Sequence, residues 1–404
     1  MERWDNMLNF SVPEYKSRLI KTKESMLRHG IDVLLVTDPA NMNYITGYDA
    51  WSFYVHQAVI VMVDEEEPIW FGRAMDANAA KWTTWLHHDH IIPYEDDYVQ
   101  STEKHPMDIV AAILQRKGYA NKTVAAEFDA YYFTAKSYLQ LIKHLPNAKF
   151  VDGTSLVNWI RSIKSNQEIE YIKRAAGIAT EAMYEGINKL KVGVRESDVV
   201  GEIVRKQIQG TPEYGGDYPS IVPLLPSGEK TDACHMTWTE DYYQYGDPVI
   251  LELAGCYKRY HCPLARTAVL GEPSQEVSDL SNVVLEGIGT ALEAVKPGVT
   301  CSDIEQAWRQ TIERYGYRKD SRIGYSAGLS YPPDWGERTA SLRHADDTIL
   351  QPNMVFHMIP GIWMEKYGVE ISETFRVTET GCEVLAGVER KLFTKTSEIQ
   401  PLIS

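Results

Sequence analysis

Cysteine is scarce: the 404-residue chain has five, at Cys234, Cys256, Cys262, Cys301 and Cys382, and no two stand at Cys-x-x-Cys spacing. An odd, small number in a long chain argues against a disulfide scaffold and against paired-thiol metal or redox motifs. No run approaches the roughly 20 apolar residues that span a bilayer, and there is no low-complexity tract. Basic residues are in deficit, 41 against 56 acidic ones, for a net charge of −15. A nucleic-acid binder needs a basic face that displaces counterions from phosphates, so that class of partner is not expected. A small anionic substrate stays compatible, because one Arg can hold a carboxylate inside an acidic protein. The opening MERWDNMLNFSVPEYKSRLIKTKES lacks the apolar core of a signal peptide. These absences set the expectation of a cytoplasmic chain with reduced thiols, free of membrane and nucleic acid.

What is present is an ordinary globular composition, 44% hydrophobic and 24% charged, in a chain long enough for two domains. The first, residues 1–160, reads as α/β. A helix over 12–29 has Pro13 near its start and Gly30 as its stop. The apolar run Val33–Val36 follows as a strand, and Asp38-Pro39-Ala40-Asn41 reads as a turn. Strands are expected at 58–63 and 68–71, joined by an acidic turn, and again at 123–126 and 150–151. Helices near 107–117 and 132–144 separate them. The second domain, 161–404, opens on a helix whose apolar positions Ile169, Ile172, Ala176, Ala179 and Met183 keep helical period. Helices at 167–191 and 196–209 precede strands at 247–253 and 265–270. Helices at 275–295 and 302–315 precede strands near 354–359 and 368–378. Two helices before two strands, twice over, suggest a pseudo-duplicated α+β domain with helices on one face of a curved sheet.

Three segments concentrate chemistry. In the first, strand PVILEL is apolar apart from Glu252, and a carboxylate there is costly to bury unless paired or used. As structure alone it would be an edge-strand surface residue. As function it is a base, a nucleophile or a counter-ion to a cation. His235, in a loop-like stretch before that strand, reads on its own as a surface or core histidine more readily than as a proton donor. The second segment, RIGYSAGLSYPPDWGERTASLR, combines small residues, the aromatics Tyr325, Tyr331 and Trp335, and the forked donors Arg338 and Arg343. It reads as a rigid loop walling a pocket for a small, flat, carboxylate-bearing ligand, or as a tyrosine-rich structural turn. The third, FHMIPGIWMEKYGVEISETFRV, reads as two strands around a hairpin with His357 and Glu373 as polar insertions.

Taken together, VLLVTDPANMNYITGY, GDPVILELAG, LARTAVLG, QPNMVFHMIPGI and YGVEISETFRVTETGCEVL resemble the creatinase, prolidase and methionine-aminopeptidase superfamily over nearly the whole chain. The resemblance implies a creatinase-type N-terminal α/β domain and an α+β C-terminal domain of pita-bread fold. Metal-dependent members hold two metals with two Asp, one His and two Glu. Those positions carry Glu252, Pro263, Tyr325, Ile359 and Ser372 here, and Pro263 and Ile359 have no ligating side chain. No metal and no other cofactor is therefore expected. In creatinase, the superfamily's metal-free precedent, a proton-transferring His lies twelve residues before the Asp of the Gly-Asp turn, and that position is His235. Its carboxylate-holding Arg falls at Arg343, while one of its two guanidinium-binding acids falls at Ala265.

Within that metal-free branch, GYSAGLSYPPDWGERTASLR and the aromatic GYDAWSFYVHQ most closely resemble ectoine hydrolases. The resemblance implies a cyclic amidine, ectoine, as substrate, with Glu252 and His235 catalytic and Arg343, Tyr325 and Tyr331 binding. It also implies a homodimer in which Asp49, Trp51 and Tyr54 reach the partner's pocket, and a product that a deacetylase could take up. The rival expectations are a creatinase-like amidinohydrolase, a catalytically inactive binding protein of the same fold, and a metallopeptidase.

Overall fold

The computed structural model describes residues 8–395; residues 1–7, the head of the segment read against a signal peptide, lie outside them. The chain divides into two compact units, Met1–Arg161 and Ser162–Ser404. Among the described residues no helix is long and apolar enough to cross a membrane.

The first unit is a six-stranded sheet with helices α1 (Val12–Arg28), α2 (Pro39–Thr46), α3 (Ala77–Thr83), α4 (Pro106–Arg116), α5 (Ala135–His144) and α6 (Leu156–Ile160). Its strands are β1 (Val33–Val36), β2 (Ala58–Met62), β3 (Ile69–Arg73), β4 (Ile91–Tyr94), β5 (Thr123–Ala126) and β6 (Lys149–Asp152), in the order β4-β3-β2-β1-β5-β6. The antiparallel β1–β2–β3 run supplies the centre, and parallel pairings add β4, β5 and β6 at the sides. Asp38–Asn41, expected as a turn, instead starts a helix. The Asp38 carboxylate caps α2 by accepting from the N–H groups of Ala40 and Asn41, and Pro39 takes the first helical position. The same residue types serve turns and helix starts, so local chemistry alone does not separate the two. Buried Glu127 fixes this corner by accepting from Thr37 N (2.6 Å), Asp38 N (2.8 Å) and Asn41 Nδ2 (2.6 Å).

The second unit is built twice over from a helix pair and strands. Helices α7 (Asn166–Lys189) and α8 (Glu196–Gln209) share one core with the hairpin β7 (Pro248–Tyr257) and β8 (Tyr260–Val269). Strand β9 (Gly324–Ala327) lies in the sheet between β10 (Gly336–Leu342) and β11 (Val355–Met358), and helices α9 (Gln275–Ala294) and α10 (Cys301–Glu313) share another core with β10, β11, β12 (Ile362–Met364), β13 (Tyr367–Val369), β14 (Glu373–Val377) and β15 (Cys382–Val384). The short β16 (Phe393–Thr394) pairs with β8. Sheet order is β10-β9-β11-β14-β15 and β16-β8-β7, with β12–β13 a separate hairpin.

Two expectations are corrected here. The strands expected at 247–253 and 265–270 are longer, forming one hairpin of ten-residue strands closed by Lys258 and Arg259 at positive φ. The segment expected as a pocket loop over 322–343 is the strand pair β9–β10, whose register shifts between Gly336 and Ser341. Its Gly, Ser and Pro content hides the strands, which pairing to β11 stabilises.

Helix α7 begins at a capping box, in which Ser165 and Glu168 satisfy each other's backbone N–H groups. Its small residues let it lie directly on β7. A Cβ at Gly255 would stand 2.0 Å from the Ala175 carbonyl oxygen and 2.5 Å from Ala179 N. Backbone on both sides leaves no flexible atom to yield. Gly255→Ala is therefore expected to cost about 3 kcal/mol or more of unfolding free energy, read from the denaturant midpoint. An unchanged midpoint would mean that α7 is not held this close.

Candidate active site

Glu252 sits in the middle of β7. Its N–H donates to Leu224 O (3.0 Å) and its carbonyl accepts from Leu224 N (2.8 Å), while across the hairpin it faces Ala265. Ala265 in turn exchanges bonds with Ser372, its N–H donating to Ser372 Oγ (2.6 Å) and its carbonyl accepting from Ser372 N (3.1 Å). Glu252, Ala265 and Ser372 thus form one transverse row, and the small Ala265 leaves room between the other two. The Glu252 side chain is buried, and burial, followed by the charge of Glu370, pushes its carboxyl well above the ordinary range.

A polar chain runs from this row to Tyr325. His357 Nε2 lies 2.8 Å from Ser372 Oγ, and His357 Nδ1 lies 3.0 Å from Tyr325 Oη. Trp335 Nε1 donates to the same phenol oxygen at 2.7 Å. Burial, with the Arg322 charge second, lowers the imidazole to about 3, so His357 is neutral around pH 7 and carries one ring proton. Two arrangements satisfy these contacts: Nε2–H donating to Ser372 Oγ with the Tyr325 hydroxyl donating to Nδ1, or Ser372 donating to Nε2 with Nδ1–H donating to Tyr325 Oη, which leaves the Tyr325 O–H for the pocket. Burial and then Glu252 hold that phenol well above its ordinary value, so it stays protonated.

Sequence reasoning passed over Glu370. It is fully buried between β13 and β14, and neither carboxyl oxygen has a hydrogen-bond partner. Its backbone is held twice by Thr267, whose Oγ1 donates to Glu370 O (2.8 Å) and accepts from Glu370 N (2.9 Å). Burial raises its carboxyl to about 8, against the attraction of Lys319. Lys319 is itself lowered to about 8 by burial, and its ammonium stands 4.3 Å from the centroid of the Trp363 ring. Lys319 and Trp363 line an open cavity of about 330 Å³ together with Tyr317, Ile362 and Met364. The signal for Glu370 was its place on an apolar Val-x-Ile stretch, the same signal that singled out Glu252.

The other sequence candidates fall as follows. Tyr331 is buried with its ring 4.7 Å from the Arg259 guanidinium. His235 is exposed, next to Cys234, whose thiol is raised by burial and by Glu370. Arg343 is exposed, one residue past β10. Arg322 lies against the aromatic chain, its guanidinium 4.5 Å from the Tyr325 ring and donating to Ser341 Oγ at 3.2 Å. Glu373, noted as a polar insertion, is spent in a buried ion pair with Arg266 at 2.8 Å. Asp49, Trp51 and Tyr54 belong to the first unit, on the loop after α2. Asp49 N donates to Thr83 Oγ1 (3.3 Å), and Trp51 and Tyr54 are 58% and 65% exposed.

The five positions where the superfamily holds metals do not fit a metal pair: Pro263 and Ile359 offer no donor, and Tyr325 and Ser372 are engaged with His357. Among the described residues, no three His, Cys, Asp or Glu side chains are grouped to hold a metal ion. What the site offers is two buried carboxyls that repel each other, a phenol donor, and no internal donor for Glu370. Such a site is complementary to a cation that brings its own N–H groups.

Comparisons with known proteins agree with this architecture. Metallopeptidase family M24 matches residues 170–379, and the Creatinase/Prolidase N-terminal domain matches residues 18–163. An ectoine hydrolase of Halomonas elongata is 48% identical over 96% of this chain and 99% of its own. A Xaa-Pro dipeptidase of Pyrococcus furiosus is 26% identical over 93% and 99%. The prolidase of Thermococcus sibiricus shares the fold, with a TM-score of 0.81 at 22% identity over 94% of this chain and 99% of that one.

Proposed function

The chain belongs to metallopeptidase family M24, with a creatinase/prolidase N-terminal domain, and from that premise we propose that it hydrolyses the cyclic amidine C–N bond of ectoine, without a metal ion, to N-acetyl-L-2,4-diaminobutyrate. The observation that carries the reading is that Pro263 and Ile359 offer no ligating side chain and Tyr325 and Ser372 are bonded to His357, which leaves Glu252 as the one carboxyl at those positions. The full-length similarity to an ectoine hydrolase supports the choice of substrate.

Ectoine's amidinium spreads its charge over N–C–N, and that charge beside Glu252 offsets the burial that keeps the carboxyl protonated and favours the ionised, binding form. Glu252 then either removes a proton from the water that attacks the amidine carbon or attacks that carbon itself. The phenol of Tyr325 donates to the developing charge, while Tyr331 helps wall the pocket. Arg343 clamps the substrate carboxylate in this reading, and His235 is the donor suggested by resemblance to creatinase. Asp49, Trp51 and Tyr54 would complete the pocket of a second copy in a homodimer. Hydroxyectoine is a further substrate on the same grounds, and a deacetylase would consume the product.

Chelator-treated protein is expected to open the ring of ectoine at its full rate, followed by NMR, and to leave creatine and a Xaa-Pro dipeptide intact. Activity that vanishes on chelation and returns with Mn, Co or Zn would overturn the metal-free reading. Turnover of creatine or the dipeptide instead would reassign the substrate.

A further inference from the structure

The open cavity of about 330 Å³ at Lys319 lies between the segment after α10 and the β12–β13 hairpin. Much of its wall is apolar: Tyr317, Ile362, Met364 and the Trp363 ring. The Lys319 ammonium stands over that ring, 4.3 Å from its centroid. Among the described residues no carboxylate is within ion-pair distance of Lys319. Its chain neighbours are spent on each other, Arg318 Nε donating to Asp320 at 2.7 Å. Glu370 acts on Lys319 from behind the wall. A Cβ at Gly361, which lines the cavity, would stand 3.1 Å from Glu370 Cγ and 2.6 Å from the Trp363 ring. Neither Glu370 oxygen bonds to anything, and the Trp363 N–H is a buried donor without an acceptor. The wall thus holds one positive charge and a spare donor, and the protein supplies no acceptor for either. An ammonium drawn part-way out of water is costly unless an anion joins it. Lys is a point charge without Arg's fork, which suits one small anionic group, and the apolar wall suits an organic body behind it.

We propose that this cavity binds a small organic carboxylate, its anionic head against the Lys319 ammonium and its body along Trp363, Ile362 and Met364. Two sources share that chemistry: the carboxylate of the enzyme's own substrate, and a separate carboxylate that binds beside the reaction. The proposal stands without the ectoine reading, because binding is measured without turnover.

Benzoate is the probe and benzamide its neutral counterpart. Calorimetric titration of the full chain at neutral pH is expected to give saturable benzoate binding, about tenfold or more tighter than benzamide. Lys319→Met keeps the apolar stem and removes the charge. It is expected to lose about tenfold or more in benzoate affinity and to bind benzamide as wild type does, which also shows that the cavity is still formed. Arg318→Gln stays within about twofold, because that guanidinium is already held by Asp320. In wild type, benzoate affinity falls as pH rises through about 8, where Lys319 gives up its proton. Glu370 ionises over the same range and repels the ligand, and Cys234, the other group facing the ammonium, adds the same sign at higher pH. Absence of saturable benzoate binding, equal affinity in wild type and Lys319→Met, or an affinity level across about pH 7 to 9 would each overturn the proposal. Inhibition of ectoine ring opening separates the two sources. Competitive inhibition by benzoate means that the cavity takes the substrate's own carboxylate, and non-competitive inhibition or none means a separate one. Wild type that leaves ectoine intact yet binds benzoate through Lys319 would sink the substrate reading and keep this site.

Discussion

Glu252→Gln lowers kcat for ectoine ring opening by about 10⁴-fold or more, while the variant folds at least as stably as wild type near pH 8. The kinetic size is that of removing a nucleophile or its essential base, as measured in other hydrolases. The stability gain follows from the same burial. Glu252 is pushed above the ordinary carboxylate range by burial and by Glu370. The unfolded chain releases that proton at about pH 4.3, whereas the folded chain holds it to higher pH. Folding stability is therefore full below the unfolded value and falls as pH rises through the folded one. Replacing the carboxyl with an amide removes this loss, so melting temperatures of variant and wild type diverge with rising pH and converge near pH 4. Near wild-type kcat would remove Glu252 from the chemistry. A variant less stable than wild type at every pH would mean that the carboxyl has a structural partner.

His357→Ala is expected to cost about 2–4 kcal/mol of stability and about 100-fold in kcat. The imidazole is the common partner of Tyr325 Oη and Ser372 Oγ, and its removal orphans both in a buried place. The kinetic loss comes through Tyr325, whose phenol loses the imidazole partner that fixes its orientation. His357 is thus a positioning residue, and its loss should appear in kcat more than in KM. Tyr325→Phe, which keeps the ring and removes the phenol, should reproduce the kinetic defect with a smaller loss of stability. The pH dependence has the opposite sign to that of Glu252. With the folded imidazole lowered to about 3 and the unfolded one near 6.5, the unfolded state binds the extra proton. Stability therefore declines as pH falls between those values, and His357→Ala flattens that decline. Equal slopes in variant and wild type would mean that His357 is not buried as a neutral ring.

The two acids show how far sequence reasoning reached into the site. Glu252 was legible because a lone carboxylate inside PVILEL breaks an apolar strand pattern, and such a break is costly unless it is used. Glu370 lies in YGVEISE, where Glu373 draws the eye as the strand's polar insertion. The structure reverses their standing: Glu373 is neutralised by Arg266, and Glu370 is left with no donor. Nothing local distinguishes them, because the difference lies in which residues of β8 and of the segment after α10 come to face each one. Arg322, the first residue of the pocket segment and not singled out in it, lies against Tyr325.

The sequence by itself determined the alternation of helices and strands, the helix pairs before each strand group, and the absence of ligating groups at Pro263 and Ile359. These are properties of period, composition and side-chain chemistry, which each segment carries alone. Only the tertiary structure decided that the Gly- and Pro-rich 322–343 segment pairs as strands, that Ala265 aligns Glu252 with Ser372, and that His357 joins Ser372 to Tyr325. Those outcomes depend on register between strands more than a hundred residues apart in places, as between Ala265 and Ser372. A burial penalty or a proton's position exists only once the groups around it have been brought together.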